Sequence, residues 1–164
     1  MILMSETMKF PYEIRWAEDR DWSPAMRMIW ETFLKYEGED YTKEGIHNFF
    51  RFITDEDLRM AFQRGEYKLL VAVDGKRIIG AASLRNIHQL SLLFVDEAYH
   101  RQGVGRTLLE VLSTYLIEEL GERYMSLNAS PYAVEFYRKC GFRAVRKEEH
   151  YAGIVVTPME KYFY

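Results

Sequence analysis

The chain has 164 residues, of which 48% are hydrophobic and 29% charged, and its formal net charge is −3 at pH 7. This length suits one domain with a single sizeable core, and the composition is that of an ordinary globular protein. The charge balance argues against a basic surface for nucleic acid, and no apolar run approaches the roughly 20 residues that a membrane-spanning helix needs. The single cysteine, Cys140, excludes an internal disulfide and a zinc site built from several cysteines.

The first residues, MILMSETMKF, contain a short apolar patch but neither the basic start nor the long apolar core of a secretion signal. We therefore expect residues 1–9 to be a loose leader and the protein to be cytoplasmic. No low-complexity stretch, internal repeat or Pro/Gly/Ser-rich linker divides the sequence. We accordingly expect a single domain over residues 1–164.

The first part of the chain predicts one strand followed by helices. Residues 12–17, YEIRWA, alternate between polar and apolar side chains, which is typical of a strand. Ser23 then precedes Pro24, and a hydroxyl N-cap followed by proline predicts the start of a helix there. Residues 42–65 have helical periodicity and predict a helix that is broken near Thr54.

The remainder of the chain predicts strands that alternate with helices. Three strand-like runs come first, at residues 67–74, 76–86 and 88–96, and the Asp74-Gly75 pair between the first two indicates a tight hairpin. The later elements are a long helix over 104–121, a strand over 124–129, a helix over 130–141 and strands over 142–149 and 152–164, the last expected at an edge. This order predicts a mixed α/β sheet of about seven strands flanked by helices.

Residues 99–109, YHRQGVGRTLL, place two glycines between the third strand and the long helix. A dinucleotide-binding loop would need a third glycine where Leu108 stands. A Walker A loop would need glycine in place of His100 and lysine in place of Arg106. The remaining interpretations are an anion site at the start of a helix and a glycine-rich turn with solvated arginines. These residues taken alone favour the turn.

Two blocks taken together resemble the GNAT superfamily of N-acetyltransferases. The first, LSLLFVDEAYHRQGVGRTLLEVL, places Gly103 and Gly105 directly after the predicted central strand. The second, LNASPYAVEFYRKCGF, matches the family pattern A-x-x-F-Y-x-x-x-G-F at Ala133, Phe136, Tyr137, Gly141 and Phe142. The resemblance covers about residues 67–145 and implies a mixed, mostly antiparallel central sheet flanked by helices. One departure is His100, which stands where the family has a leading Arg or Gln.

The resemblance implies that the glycine loop binds the pyrophosphate of acetyl-CoA, the acetyl donor, and that no metal is needed. The residues expected to bind acetyl-CoA are Leu93, Phe94, Val95, Arg101, Gln102, Gly103, Val104, Gly105, Arg106 and Asn128. In relatives the central strand splays open, here after Leu92, and the backbone N–H groups of the next residues face the acetyl donor. Ser130 is expected mainly to cap the helix that follows it.

Acetyl transfer also needs an acid and a base. Tyr137 matches the tyrosine that commonly donates a proton to the departing thiolate in the family. A lysine-type amine has a pKa of about 10.4, so the acceptor needs a base or a water relay near neutral pH. Glu37 and His88 are the candidates, with His88 expected on the strand face of Leu90 and Leu92. A structural histidine and a solvated acidic loop are the competing interpretations of these two residues.

The resemblance therefore implies an acetyl-CoA-dependent N-acetyltransferase that acts on a primary amine of a small molecule or peptide by direct attack on the thioester. A non-catalytic acyl-CoA-binding sensor or interaction module is the alternative, because no base is evident in the sequence. We expect neither nucleic acid nor a membrane as a partner. An exposed terminal strand would suit a homodimer interface.

Overall fold

The structure is a computed structural model that describes residues 10–163. The leader predicted for residues 1–9 lies outside the described residues. The helices are α1 (Trp22–Tyr36), α2 (Lys43–Ile53), α3 (Glu56–Gln63), α4 (Val104–Glu118) and α5 (Val134–Lys139). The strands are β1 (Glu13–Trp16), β2 (Leu69–Asp74), β3 (Arg77–Arg85), β4 (Gln89–Val95), β5 (Tyr124–Ala129), β6 (Arg143–Ala144), β7 (Glu149–Tyr151) and β8 (Ile154–Tyr162). Over residues 10–163, no helix has the length and apolar character needed to cross a membrane.

The strands form a sheet in the order β1-β2-β3-β4-β5-β8-β6, and β7 pairs with β8. Every pair in the described part of the chain is antiparallel except β4 with β5. This confirms the predicted mixed, mostly antiparallel sheet flanked by helices. The predicted strand over 142–149 is divided into β6 and β7, which raises the count from about seven to eight. The prediction of a terminal edge strand is wrong, because β8 lies between β5 and β6.

The sheet is covered on both faces by apolar side chains, and β2 shows why its sequence is continuously apolar. Leu70 belongs to a buried cluster that contains the α4 leucines, whereas its neighbours Leu69 and Val71 belong to a second cluster with α1. Successive side chains of a strand point to opposite faces, so both kinds of position must be apolar here. At about 1.5–3 kcal/mol for each large aliphatic side chain, these two layers supply the main stabilisation of the fold.

The start of α1 differs from the prediction. Ser23 lies in the first turn of α1, and Asp21 is the N-cap residue at the end of a preceding 3₁₀ turn. The Asp21 carboxylate is buried and accepts a hydrogen bond from Arg15 Nη1 at 2.7 Å. This bond lowers the pKa of Asp21. The predicted break near Thr54 is confirmed, because α2 ends at Ile53.

An extra residue, Ser91, interrupts the regular alternation of β4. Its neighbours Leu90 and Leu92 pair with successive residues of β3, so that Ser91 has no residue opposite it. A bulge of this kind bends its strand and shifts later side chains to the other face. Leu90 accordingly belongs to the buried cluster with α4, whereas Leu92 belongs to the cluster with α1. The prediction that His88, Leu90 and Leu92 share one strand face is therefore wrong.

Gly80 in β3 allows α4 to approach the sheet closely. A Cβ atom at Gly80 would lie 2.9 Å from Val104 Cγ1 and 3.0 Å from Leu108 Cδ1, which is closer than carbon atoms approach each other. Val104 is the first residue of α4, so this contact fixes the N-terminus of the helix, and with it the glycine loop, against the centre of the sheet.

Candidate active site

A cleft opens in the sheet where β4 and β5 separate. The two strands pair at Gln89 with Ser126 and at no later position in the described residues. The opening therefore begins about three residues before the predicted point at Leu92, because the bulge already turns β4 away from β5. On that side, the main-chain groups of β4 beyond this point pair with no strand of residues 10–163.

Main-chain groups of β4 face the cleft at alternate residues. The Asp96 N–H donates a hydrogen bond to Ile79 O of β3 at 2.8 Å. Because hydrogen-bonding groups alternate sides along a strand, the N–H groups of Leu93 and Val95 point toward the cleft. The N–H of Phe94 points toward β3 instead. Of the three residues predicted to offer an N–H group to acetyl-CoA, only Leu93 and Val95 therefore have one that faces the cleft.

The glycine loop begins α4 with N–H groups that have no partner within residues 10–163. Arg101 and Gly103 have left-handed backbone conformations, with φ angles of 64° and 81°. The Gly103 carbonyl accepts hydrogen bonds from the N–H and the hydroxyl of Thr107 at 2.9 Å and 2.7 Å. Within the described range, the N–H groups of Gly103, Val104 and Gly105 donate to no backbone carbonyl. Together with the helix dipole they form a suitable site for an anion.

Gly105 brings α4 and α5 together. A Cβ atom at Gly105 would lie 3.1 Å from Phe136 Cζ and 3.6 Å from Val95 Cγ2. A larger residue at this position would displace the Phe136 ring. The two sequence blocks therefore meet in space, since the second glycine of the loop packs on the phenylalanine that precedes Tyr137.

His100, the departure from the family pattern, ties the glycine loop to β4. Its Nε2 lies 2.7 Å from Val95 O, and because a carbonyl oxygen only accepts, Nε2 carries the proton and donates it. The His100 ring is 5.0 Å from the Tyr36 ring, which in turn is 5.1 Å from the Tyr132 ring. His100 therefore holds the loop in place and contributes to an aromatic wall.

Two cavities adjoin the cleft. The loop-side cavity has a volume of about 510 Å³ and lies between the glycine loop, α1 and α5. Its lining includes Thr32, Tyr36, Tyr99, His100, Arg101, Gly103, Val104, Gly105, Arg106, Tyr132 and Phe136. Arg101 and Arg106 are its two arginines, so the charge of its lining suits an anionic ligand.

The hairpin-side cavity has a volume of about 370 Å³ and lies between α2, β4, β5 and the β7–β8 hairpin. Its lining includes Tyr41, Asn48, Phe52, Arg85, Gln89, Asn128, Ser130 and Tyr151. Five residues line both cavities: Glu37, Leu93, Phe94, Ala133 and Tyr137. The two cavities therefore meet at a wall that holds a carboxyl group and a phenol.

Tyr137 is a buried phenol at this shared wall. Its side chain is 7% exposed, and burial raises the pKa of its hydroxyl above the ordinary range. The negative charge of Glu37 raises that pKa further. The Tyr137 hydroxyl therefore keeps its proton at neutral pH, which is the form that a proton donor needs.

Glu37 is the C-cap residue that directly follows α1, and it contributes a partly buried carboxyl group. Burial raises the pKa of Glu37 to about 7, an effect opposed by the nearby Ser130 hydroxyl and increased by the charge of Asp40. The two groups do not meet hydrogen-bond geometry, because the buried Ser130 Oγ has no partner among the described residues. A carboxyl group with a pKa near 7 can exchange a proton at neutral pH, as a general base must.

Ser130 differs from its predicted role as a helix cap. Its side chain makes no capping hydrogen bond, although its backbone carbonyl accepts from Ala133 N–H at 2.9 Å. Ser130 is 5% exposed as a residue, its hydroxyl is buried, and it lines the hairpin-side cavity. A buried hydroxyl without a partner is costly by about 1–3 kcal/mol, so a ligand that hydrogen-bonds to it would be stabilised.

The tip of the β7–β8 hairpin closes the hairpin-side cavity by contact with α2. Gly153 O accepts a hydrogen bond from Thr42 N–H at 2.9 Å. A Cβ atom at Gly45 would lie 2.3 Å from the same oxygen, so only glycine permits this approach. Tyr151, next to the turn, is exposed and lines the cavity.

Three predicted site residues lie elsewhere than expected. His88 is outside both cavities, where its Nε2 is 2.8 Å from the Tyr124 hydroxyl, so the structure does not support it as a base. The Gln102 side chain accepts a hydrogen bond from the Tyr12 hydroxyl at 2.6 Å and lines neither cavity. Asn128 lines the hairpin-side cavity, not the loop-side cavity.

Several site residues were not predicted, namely Tyr36, Tyr41, Arg85 and Tyr132. None of them is part of the family pattern: Tyr36 and Tyr41 lie far before the two blocks, Arg85 lies five residues before the first block, and Tyr132 directly precedes the pattern at Ala133. Aromatic residues at helical spacing in α1 indicate a buried face, and the sequence does not separate core positions from cavity positions.

Two joined cavities with a carboxyl group and a phenol at their common wall suit a protein that brings two ligands together. Residues 37–163 match the model of the acetyltransferase (GNAT) domain, and the chain therefore belongs to this family. The soybean (Glycine max) protein named Histone acetyltransferase TAP1 is 36% identical over 74 residues, which are 42% of this chain and 31% of that protein. The match thus spans about a third of the length of this relative.

Solved structures share the fold. A GCN5-related N-acetyltransferase from Rhodopseudomonas palustris has a TM-score of 0.78 at 24% identity, with 93% of this chain and 96% of that chain covered. The PaiA N-acetyltransferase from Thermoplasma acidophilum, solved in complex with coenzyme A, has a TM-score of 0.75 at 20% identity, with 93% and 99% covered. These similarities establish the GNAT fold over nearly the whole chain.

Proposed function

We propose that the protein is an acetyl-CoA-dependent N-acetyltransferase that transfers the acetyl group to a primary amine. The observation that carries this proposal is the meeting of the two cavities at Glu37 and Tyr137. The loop-side cavity takes acetyl-CoA and the hairpin-side cavity takes the amine. The family, and the relative solved with coenzyme A, support this assignment.

The residues of the loop-side cavity fit acetyl-CoA. Unpartnered N–H groups at the start of α4 and two arginines suit a pyrophosphate. The absence of a side chain at Gly103, where a Cβ would have no atom within 4 Å, leaves room for a phosphate to approach the backbone. The N–H groups of Leu93 and Val95 face the cleft and would stabilise the oxyanion that develops during transfer.

Acetyl-CoA supplies a thioester, whose C–S bond breaks as the new C–N bond to the acceptor forms. Glu37 accepts one proton from the acceptor ammonium group, which makes its nitrogen nucleophilic. Tyr137 donates its proton to the departing sulfur. The second proton lost by the nitrogen then replaces the one that Tyr137 has given up. The Ser130 hydroxyl orients the acceptor nitrogen by hydrogen bonding.

The alternative of a non-catalytic sensor depended on the lack of a base, and Glu37 now fills that role in the proposal. The experiment is a thiol-release assay with acetyl-CoA and a panel of alkylamines, amino acids, polyamines and short peptides. We expect release of coenzyme A that depends on the amine and is lost in Glu37→Gln. Binding of acetyl-CoA without thiol release for any amine would contradict the proposed enzyme and favour the sensor.

A further inference from the structure

The hairpin-side cavity has opposite charges on residues of its lining. Among the described residues that line it, Glu37 is the only acidic side chain and Arg85 the only lysine or arginine. Glu37 also borders the loop-side cavity, whereas Arg85 borders no part of it. The cavity therefore has a carboxyl group at the wall that it shares with the loop-side cavity and a guanidinium group away from that wall.

Arg85 is available to bind an anion. It is exposed at the end of β3, and its guanidinium carbon lies 5.8 Å from the centre of the Phe52 ring, which also lines the cavity. No carboxylate of the described residues forms an ion pair with it, unlike Arg77, whose Nη2 lies 2.8 Å from Asp96 Oδ2. An unpaired guanidinium held over an aromatic ring is well suited to a carboxylate.

The separation of the two ends limits the size of the ligand. Arg85 pairs with Gln89 in the β3–β4 register, and Leu93 lies at the shared wall. The β3 partners of Gln89 and Leu93 are Arg85 and Ala82, three positions apart because Ser91 is an extra residue in β4, so the separation is about 10 Å of strand. The arginine side chain covers part of this distance, and the remainder fits a chain of several carbon atoms.

We propose that the acceptor is a primary amine that carries a carboxylate several bonds from its nitrogen, and that Arg85 binds this carboxylate. This inference rests on the proposed function and adds the substrate class. One arginine matches a singly charged carboxylate better than a phosphate, which attracts several cations. A polyamine would place a second positive charge beside Arg85, which is unfavourable.

Three six-carbon amines test the proposal because they differ only at the far end: 6-aminohexanoate, hexylamine and 1,6-diaminohexane. We expect wild-type kcat/KM to be highest for the carboxylate, by about tenfold over hexylamine, and lowest for the diamine. Homologous ω-amino acids of four to eight carbons determine the best chain length. Their affinities are also measured without turnover, by calorimetric titration into protein saturated with coenzyme A.

Arg85→Gln should lower kcat/KM for the ω-amino acid about tenfold and weaken its binding similarly, while hexylamine changes less than twofold. Arg27→Gln, at an exposed position of α1, is the matched control and should change none of these values. Two results would overturn this inference but leave the proposed function intact. One is an equal kcat/KM for hexylamine and every ω-amino acid, and the other is an equal loss of kcat/KM for both kinds of amine in Arg85→Gln. Thiol release from no amine at all would overturn the proposed function and the inference with it.

Discussion

Replacement of Glu37 by glutamine should stabilise the protein at alkaline pH while it removes activity. Burial raises the pKa of Glu37 from 4.5 to about 7. Between these pH values the folded protein retains a proton that the unfolded chain releases, so the free energy of unfolding falls as pH rises. Above pH 7 this loss of unfolding free energy no longer grows. At 1.36 kcal/mol for each unit of pKa shift, it reaches at most about 3 kcal/mol. Glutamine has nearly the same shape and carries no charge.

The measurement is urea unfolding of the wild type and Glu37→Gln at pH 4 and pH 8. We expect similar stability at pH 4 and a more stable variant at pH 8, with partial solvent access keeping the gain below the upper limit. Glu31→Gln, at an exposed carboxylate on α1, is the control and should show no such dependence. A difference that is the same at both pH values, or a variant less stable at pH 8, would refute the reasoning.

Three other substitutions, together with Gly65→Ala as a control, separate the proposed roles. Gly103 and Gly65 have φ angles of 81° and 79°, and a Cβ atom at either would have no neighbour within 4 Å. Gly103→Ala and Gly65→Ala should therefore each lower the free energy of unfolding by about 1–2 kcal/mol. Only Gly103→Ala should weaken acetyl-CoA binding in calorimetry. Tyr137→Phe should lower kcat about a hundredfold without altering acetyl-CoA affinity. Gly45→Ala should displace the hairpin tip at Gly153 and raise the KM of the acceptor alone.

Each of these expectations has an outcome that contradicts it. Equal acetyl-CoA affinity in Gly103→Ala and Gly65→Ala would mean that the glycine loop is only a turn and does not bind the ligand. Unchanged turnover of Tyr137→Phe across the pH range would remove Tyr137 from the acid role. An unchanged acceptor KM in Gly45→Ala would show that the hairpin does not enclose the acceptor.

The glycine loop could be located from sequence because its signal is local. Gly103 and Gly105 stand between a strand and a helix, and the spacing alone places their N–H groups at the helix start. The second block is likewise continuous, so Phe136 and Tyr137 were found with it. The packing of Phe136 on Gly105, in contrast, is a contact in space that the spacing of these residues in the sequence does not give.

Other features depend on contacts that sequence patterns do not encode. A single extra residue at Ser91 changes which face each side chain of β4 occupies, and so moves His88 away from the site. Glu37 was a candidate, but its raised pKa arises from burial that only the assembled fold provides. Arg85 gave no signal, because its proposed role depends on the lack of a carboxylate partner among the described residues and on the Phe52 ring beside it.

The most direct test of the account is calorimetric titration of the folded protein with acetyl-CoA, with ATP and NAD as controls. The account predicts binding of acetyl-CoA at one site and no comparable binding of the two nucleotides. Absence of acetyl-CoA binding in protein that is demonstrably folded would contradict the account, and the chain would then have the GNAT fold without its chemistry.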